Sequence, residues 1–276
     1  PSNSYAQGKY KTGSFDIEPG FRISLSYFRA PKEWEVWGSY TRLTSRGHDS
    51  TGKPAATNEF LTGTWPQTLS APLTGASSST HLNYNVVDAI ANRYFHPNAH
   101  LRLRLIGGLT SAWMSQDWVV RYTDAAQEST RIQNKWKFAG GGFRFGLMAD
   151  WFWTSDIYLT ARGTVGALMG CYKNESKQTT TVAASGSDNA AIPIRDATYR
   201  DGRGSLTMQA SLGPSWQKSF NSTRVEIFAG YEINTWSNLQ EIFRSTAAAP
   251  SAAKETWINS SLLAIQGLTT RLTMDF

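Results

Sequence analysis

Several residue types that can perform catalysis occur in this chain, but their spacing does not form an active site. His48, Asp49 and Ser50 are the residue types of a catalytic triad, yet they are consecutive, and consecutive residues cannot converge on one another in triad geometry. Glu33 and Glu35 share one face of a predicted strand but lie at its end, where solvated carboxylates are ordinary. We therefore predict that the protein is not an enzyme.

Residues that could bind a metal are equally sparse. His96 and His100 would share one side of a helix, but Pro97 between them opposes a helix. Cys171 is the single cysteine, which excludes a disulfide within the chain and a cysteine-based zinc cluster. We expect neither a metal nor a cofactor.

A different chemistry is indicated by charged residues that alternate with apolar ones. Leu101, Leu103 and Leu105 alternate with Arg102 and Arg104. Because successive side chains of a strand point to opposite faces, such a segment has one apolar face and one charged face. If the apolar face meets lipid, the charged face encloses an aqueous lumen.

The same parity, applied along the chain, predicts which side chains face the lumen. We predict that its lining comprises Arg22, Arg102, Arg104, Arg144, Arg162, Arg224, Glu226, Glu232 and Arg271, and that Asp16, Glu18 and Asp275 also point inward. Seven arginines against five carboxylates predict a weak preference for anions, because charged side chains set ion preference in pores. The alternative is that the two signs pair across strands and brace a narrow barrel.

Gly140, Gly141, Gly142 and Gly146 superficially resemble a phosphate-binding loop. They lack the Lys-Ser/Thr pair that follows such a loop, and they lie inside a predicted strand. We interpret them as positions of strand curvature or close packing.

The elements that carry these residues are predicted strands, short turns and long polar loops in regular order. Three long loops are predicted at about residues 44–80, 173–200 and 237–256. Nine strands are predicted at about residues 15–28, 33–43, 81–94, 100–122, 135–150, 156–172, 203–217 and 223–236, with a closing strand that ends at Phe276.

Composition and strand length together favour a membrane barrel over a soluble sandwich. No segment approaches the roughly 18 apolar residues of a membrane helix, and mean hydropathy is −0.38. Only alternate residues of a membrane barrel meet lipid, so such a value is compatible with one. Several predicted strands exceed the roughly 5–6 residues common in soluble sheets. The net charge of +6 is scattered along the chain, and we expect no nucleic-acid partner.

The predicted fold is thus all-β: a transmembrane, up-and-down, antiparallel β-barrel formed by a single domain, residues 1–276. Nine strands is an odd number, whereas bacterial single-chain barrels have even numbers. We therefore expect about ten strands, with twelve as the alternative. The further strand is supplied by residues 1–14, precedes Pro1 or is hidden in one of the long loops, and the last two are favoured because Tyr5–Lys11 alternates poorly. Both chain ends are then expected on the periplasmic side.

Four stretches of the chain, in order, resemble a known family. They are GFRISLSYFRAPKEWEVWGSYTRL (20–43), WKFAGGGFRFGLMADWFWTSDIYLTARGTVGALMGCY (136–172), FAGYEINTW (228–236) and QGLTTRLTMDF (266–276). They are similar to the early hairpin, the Gly-rich core with its Trp turn, the penultimate strand and the closing strand of the Legionella-type major outer membrane protein family, which also occurs in environmental chlamydiae.

The resemblance implies an integral protein of the bacterial outer membrane that forms a porin-like pore. The expected partners are outer-membrane lipid, small hydrophilic solutes or ions, and further copies of the chain in a homo-oligomer. The alternative function is a closed structural or adhesin-type barrel that presents the loops 44–80, 173–200 and 237–256 at the surface.

Overall fold

The protein forms one antiparallel sheet in which each strand pairs with the next along the chain. The computed structural model describes residues 15–29, 33–55, 59–63, 69, 71–182, 190–220, 223–245 and 256–276. Its nine strands are β1 (Gly20–Arg29), β2 (Trp34–Gly52), β3 (Leu73–Asn98), β4 (Leu101–Asp124), β5 (Ser129–Phe152), β6 (Ile157–Val182), β7 (Ala190–Phe220), β8 (Thr223–Ser245) and β9 (Thr256–Asp275). The up-and-down antiparallel order predicted from the sequence is confirmed.

Most strands are longer than the sequence predicted, and the three predicted loops are correspondingly shorter. β6 has 26 residues and β7 has 31, whereas a membrane-crossing strand needs only about 9–11. The predictions of loops over 44–80, 173–200 and 237–256 are therefore wrong in extent. The strand bounds leave 53–72, 183–189 and 246–255 as connections. The first strand is shorter than predicted, since residues 15–19 precede β1.

The connections differ in length between the two ends of the sheet. Residues 30–33, 99–100, 153–156 and 221–222 connect strands at one end, here called the turn end. The longer connections 53–72, 183–189 and 246–255 lie at the opposite end, here called the loop end, together with the short connection 125–128. Of the turn-end connections, residues 30–32 and 221–222 lie outside the described residues.

The two faces of the sheet differ in burial, as the alternation requires. Even-numbered residues from Leu82 to Ile90 of β3 are buried, and from β4 to β6 the buried positions are also mostly even-numbered. We call this the inner face and the opposite one the outer face. Large apolar side chains such as Phe143, Phe145 and Leu147 remain exposed on the outer face.

The sheet curls but does not close within the described residues. β1 and β9 each pair on one side only. Arg22 of β1 nevertheless contacts Glu232 of β8, with Nη2 and Oε1 2.8 Å apart, so the two ends of the sheet approach each other. This curvature is compatible with a barrel. A tenth strand from the segment 1–14 would lie outside the described residues.

Candidate pore lumen

The inner face carries all the predicted lumen residues that lie on strands. Arg22, Arg102, Arg104, Arg144, Arg162, Arg224, Glu226, Glu232, Arg271 and Asp275 occupy inner-face positions in the strand register. Asp16 and Glu18 precede β1, so no strand parity places them. Most of the strand residues in this set form ion pairs, in three groups: two near the turn end and one at mid-height.

The first group surrounds the carboxylate of Asp150, which is fully buried near the turn end. Arg102 Nε and Arg104 Nη2 both approach Asp150 Oδ2, at 2.9 and 2.7 Å. Thr160 donates a hydrogen bond to the other oxygen, Oδ1, at 2.9 Å. Two guanidinium groups and a hydroxyl thus stabilise one buried carboxylate through charge-assisted hydrogen bonds.

The second group joins β8 to β9, also near the turn end. Arg271 Nη2 lies 2.8 Å from Glu226 Oε1, and its guanidinium carbon lies 5.2 Å from the centre of the Phe228 ring. Arg224 Nη2 lies 2.7 Å from Asp275 Oδ2, in a much more exposed position. Both pairs connect neighbouring strands, as the bracing alternative predicts.

The third group lies at mid-height and is bridged by Gln209 of β7. Its amide nitrogen donates to Glu232 at 2.7 Å, and its amide oxygen accepts from Arg144 Nη1 at 3.1 Å. Arg144 also approaches Asp88 at 3.2 Å, and Arg22 pairs with Glu232. Among these side chains, two carboxylates (Asp88 and Glu232) are matched by two arginines (Arg22 and Arg144).

Arg162 adds a third cation to this mid-height group. Its guanidinium carbon lies 5.1 Å from the centre of the Trp37 ring, and in the described part of the chain it has no carboxylate partner. Buried nitrogens of Arg162 (Nε) and Arg144 (Nε and Nη2) lack a hydrogen-bond acceptor. Buried donors without an acceptor are costly, so this position favours an oxygen-bearing or anionic partner.

A bend in β8 narrows the loop end of the interior. Pairing between β7 and β8 reaches toward the loop end only as far as Thr207 and Trp236, and the register with β9 shifts between Trp236 and Gln240. Asn238 has a φ of 61°, a left-handed conformation that asparagine tolerates better than most residues. Beyond Trp236, β8 therefore leaves the wall formed by β7.

The bent segment is held inside by contacts with β6 and β7. Glu241 Oε1 lies 3.0 Å from Arg203 Nη1, and Tyr199 also donates to the Glu241 carboxylate. Asn174 of β6 donates to the Glu241 carbonyl at 3.1 Å, although β7 separates β6 from β8 in the sheet. Leu239 is fully buried. The sequence analysis missed Arg203, although it shares the strand parity of Gln209 in β7.

Side chains of distant strands also meet across the interior below this bend. Asn234 Nδ2 of β8 donates to the hydroxyl of Tyr84 of β3 at 2.8 Å, and the rings of Tyr84 and Trp236 are 6.1 Å apart, edge to face. The interior is therefore narrow at this level, with ion pairs towards the turn end and an apolar cluster towards the loop end.

The residues weighed for catalysis and metal binding do not converge. His48, Asp49 and Ser50 are consecutive in β2, so they alternate between the two faces. Within the described ranges, no three His, Cys, Asp or Glu side chains are placed to hold a metal ion. The same ranges contain no helix with the length and apolarity needed to cross a membrane.

Comparison with known proteins gives one match. The family described as "Legionella pneumophila major outer membrane protein precursor" matches residues 1–276, the full sequence. No curated protein and no solved structure matches the chain.

Proposed function

Because the chain belongs to the family of the Legionella pneumophila major outer membrane protein, we propose that it is an integral outer-membrane barrel that forms a narrow, weakly anion-preferring diffusion pore. The proposed barrel is one domain, residues 1–276, with short turns in the periplasm and longer connections outside, as in known membrane barrels.

The outer face supports the integral placement. Exposed large apolar side chains occupy many of the alternate, outer-face positions of the strands, towards the turn end: Ile23, Leu25, Leu105, Leu109, Phe143, Phe145, Leu147, Met208, Leu212, Leu268 and Leu272. Soluble monomers rarely expose contiguous apolar patches of more than a few hundred Å². In a membrane, lipid covers such an apolar band, so its side chains are not exposed to water. An outward-facing apolar band is therefore typical of membrane barrels.

The mid-height group of the interior supports the anion preference. Arg22, Arg144 and Arg162 face only two carboxylates, Asp88 and Glu232, in the described part of the interior. The unpaired guanidinium N–H groups of Arg144 and Arg162 can replace part of the hydration shell of a small anion. This excess of one positive charge is the observation that carries the proposal.

A reversal-potential measurement in planar bilayers under a salt gradient tests the proposed preference. We expect the wild-type protein to prefer chloride over potassium, and Arg162→Gln to reduce that preference, since it removes the cation without a carboxylate partner. Arg131→Gln, which removes an exposed cation of the outer face, is the matched control and should leave the preference unchanged. A wild-type preference for cations, or an equal loss in both variants, would contradict the proposal.

A closed barrel that anchors surface-exposed connections is the second candidate, and the contacts of Tyr84 across the interior favour it. The connections that it would present are 53–72, 183–189 and 246–255 rather than the longer loops predicted from the sequence. Wild-type protein that inserts into bilayers without any conductance would support this candidate over the pore.

We also propose that copies of the chain associate in the membrane, as porin-type barrels often do. The support is the family relation alone. Chemical crosslinking in native envelopes should then capture dimers or larger species, and the recovery of monomer only would contradict the association.

A further inference from the structure

A row of three basic residues crosses the outer face where the apolar band ends. Lys137 of β5 pairs in register with Lys173 of β6, and Lys173 pairs with Arg200 of β7. We call Lys137, Lys173 and Arg200 the basic row. Like charges directly opposite each other on neighbouring strands destabilise a sheet. An arrangement of this kind therefore calls for a compensating negative charge.

The part of the chain that the structure describes supplies only part of that compensation. Lys173 contacts the carboxylate of Glu175, and this hydrogen bond holds the pKa of Glu175 below its usual range. Glu175 is also paired in register with Lys135, which does not belong to the basic row. The Glu175 carboxylate is therefore shared between Lys173 and Lys135. Asp201, the neighbour of Arg200, accepts a hydrogen bond from Arg203 of the inner face at 2.8 Å. The basic row thus retains a surplus of positive charge.

A depression of about 800 Å³ adjoins the basic row. Its floor is formed by small residues in the next register row towards the turn end, Ala139, Cys171 and Gly202. Trp113, half exposed, closes one side of it. The next outer-face residue of β6 towards the turn end is Met169, which belongs to the apolar band and is largely exposed. The site therefore combines a cationic rim with an apolar floor.

We propose that this site binds an anionic, phosphate-bearing lipid of the outer leaflet, with the negatively charged phosphate on the basic row and the start of an acyl chain in the depression. The inference rests on the proposed membrane-spanning barrel, which places the loop end outside. Free phosphate would use only the rim. A lipid also uses the apolar floor, and its headgroup meets the basic row at the depth where the apolar band ends.

Cys171 provides a direct test, because it is the single cysteine, is exposed, and lies in the floor of the depression. The full chain is folded into mixed micelles that contain phosphatidic acid or phosphatidylcholine, and the rate of labelling by a water-soluble maleimide is measured. We expect phosphatidic acid to slow labelling of Cys171 relative to phosphatidylcholine. Each basic side chain is expected to contribute about fivefold to the affinity.

The decisive variant is Lys137→Gln/Lys173→Gln/Arg200→Gln, compared with Arg131→Gln/Lys177→Gln, which removes exposed cations of the outer face beyond the site. The ratio of labelling rates in the two lipids is compared within each variant, so that a change in the reactivity of the thiol itself cancels. We expect the ratio to approach one in the triple variant and to stay at the wild-type value in the control.

Three outcomes overturn the inference. They are equal labelling in the two lipids, equal loss of protection in the two variants, and protection of Cys171 by inorganic phosphate alone. Heat-dependent migration of the protein on gels reports separately whether the barrel has folded. A protein that never folds into micelles counts against the proposed barrel, whereas a folded protein without lipid-dependent protection counts against the lipid site alone.

Discussion

Asp150 is the residue on which the ion pairs of the turn-end half depend most. Its carboxylate is 0% exposed and is shared by Arg102 and Arg104, so its removal leaves two buried guanidinium groups without their anion. We expect Asp150→Asn to lower the free energy of unfolding by about 3–5 kcal/mol, the usual cost of breaking a buried ion pair. Denaturant titration of the protein folded in lipid vesicles measures this quantity.

Asp275→Asn is the matched control at the same scale. Asp275 also pairs with an inner-face arginine, Arg224, but its side chain is 42% exposed, and exposed pairs contribute about 0–1 kcal/mol. A loss at Asp275 as large as that at Asp150 would show that burial does not set the strength of these pairs.

The sequence could predict which face these residues occupy, but not which partners they have. The period of two places Arg102 and Arg104 together without any knowledge of other strands. Pairing with Asp150 depends on the register between β4 and β5, and the contact of Arg22 with Glu232 depends on how far the sheet curls. Alternation encodes neither quantity. That the inner face lines an open, water-filled pore remains a prediction.

At the scale of elements, the bend in β8 is the feature most open to a functional test. Glu241→Gln keeps the size of the side chain but removes its charge, and so weakens the tie to Arg203 that holds the bent segment inside. We expect this variant to have a higher conductance in planar bilayers than the wild-type protein, because the segment can then move away from the lumen.

Asp201→Asn serves as the control for this variant. Asp201 also pairs with Arg203, but both residues lie on β7, so the pair does not hold β8. Equal rises in conductance for Glu241→Gln and Asp201→Asn would mean that the charge of Arg203, and not the position of β8, determines the conductance.

The extent of the loops was predicted wrongly for a reason that concerns β6 and β7. Alternation is visible only where one face meets an apolar environment, and it disappears beyond Lys173, as in Thr179, Thr180 and Thr181. These residues still form a ladder with β7 as far as Val182 and Ala190. Polar composition was therefore mistaken for irregular structure, because both faces of these segments lie outside the apolar band.

At the scale of the molecule, the orientation of the sheet towards lipid can be tested with two adjacent residues. Ala210 is exposed on the outer face, and Ser211 lies on the inner face. We expect Ala210→Arg to cost about 2–4 kcal/mol in a membrane-folding titration, as charges on the lipid face of barrels do, and Ser211→Arg to cost much less. Equal costs would contradict the assignment of the two faces.

The glycines of β5 show how much of the curvature of the sheet could be predicted from the sequence. Gly142 lies within β5, as the sequence predicted, and a Cβ there would lie 1.9 Å from the Ala167 carbonyl oxygen. The interpretation as close packing is thus confirmed for Gly142 and for Gly140, where a Cβ would lie 2.8 Å from the Met169 carbonyl oxygen, but not for Gly141, where the nearest atom would be 3.7 Å away. How strongly the sheet curls as a result was not predictable, because curvature is the sum of such approaches over all strands.

The departure of β8 from β7 has a consequence for solubility. Side chains of Ser237 and Asn238 bind the backbone of Leu206 and Gly204, but residues 190–203 of β7 are paired in register with β6 alone. One side of this ribbon therefore carries backbone N–H and C=O groups outside any strand ladder, where a foreign strand could be added. Pro193, a register irregularity opposite Gln178 and Thr179, and the charges of Arg195, Asp196 and Arg200 occupy this stretch. Proline, bulges and charged side chains oppose the pairing of exposed sheet edges between molecules. All three occur in the part of β7 that β8 leaves without a neighbouring strand on that side.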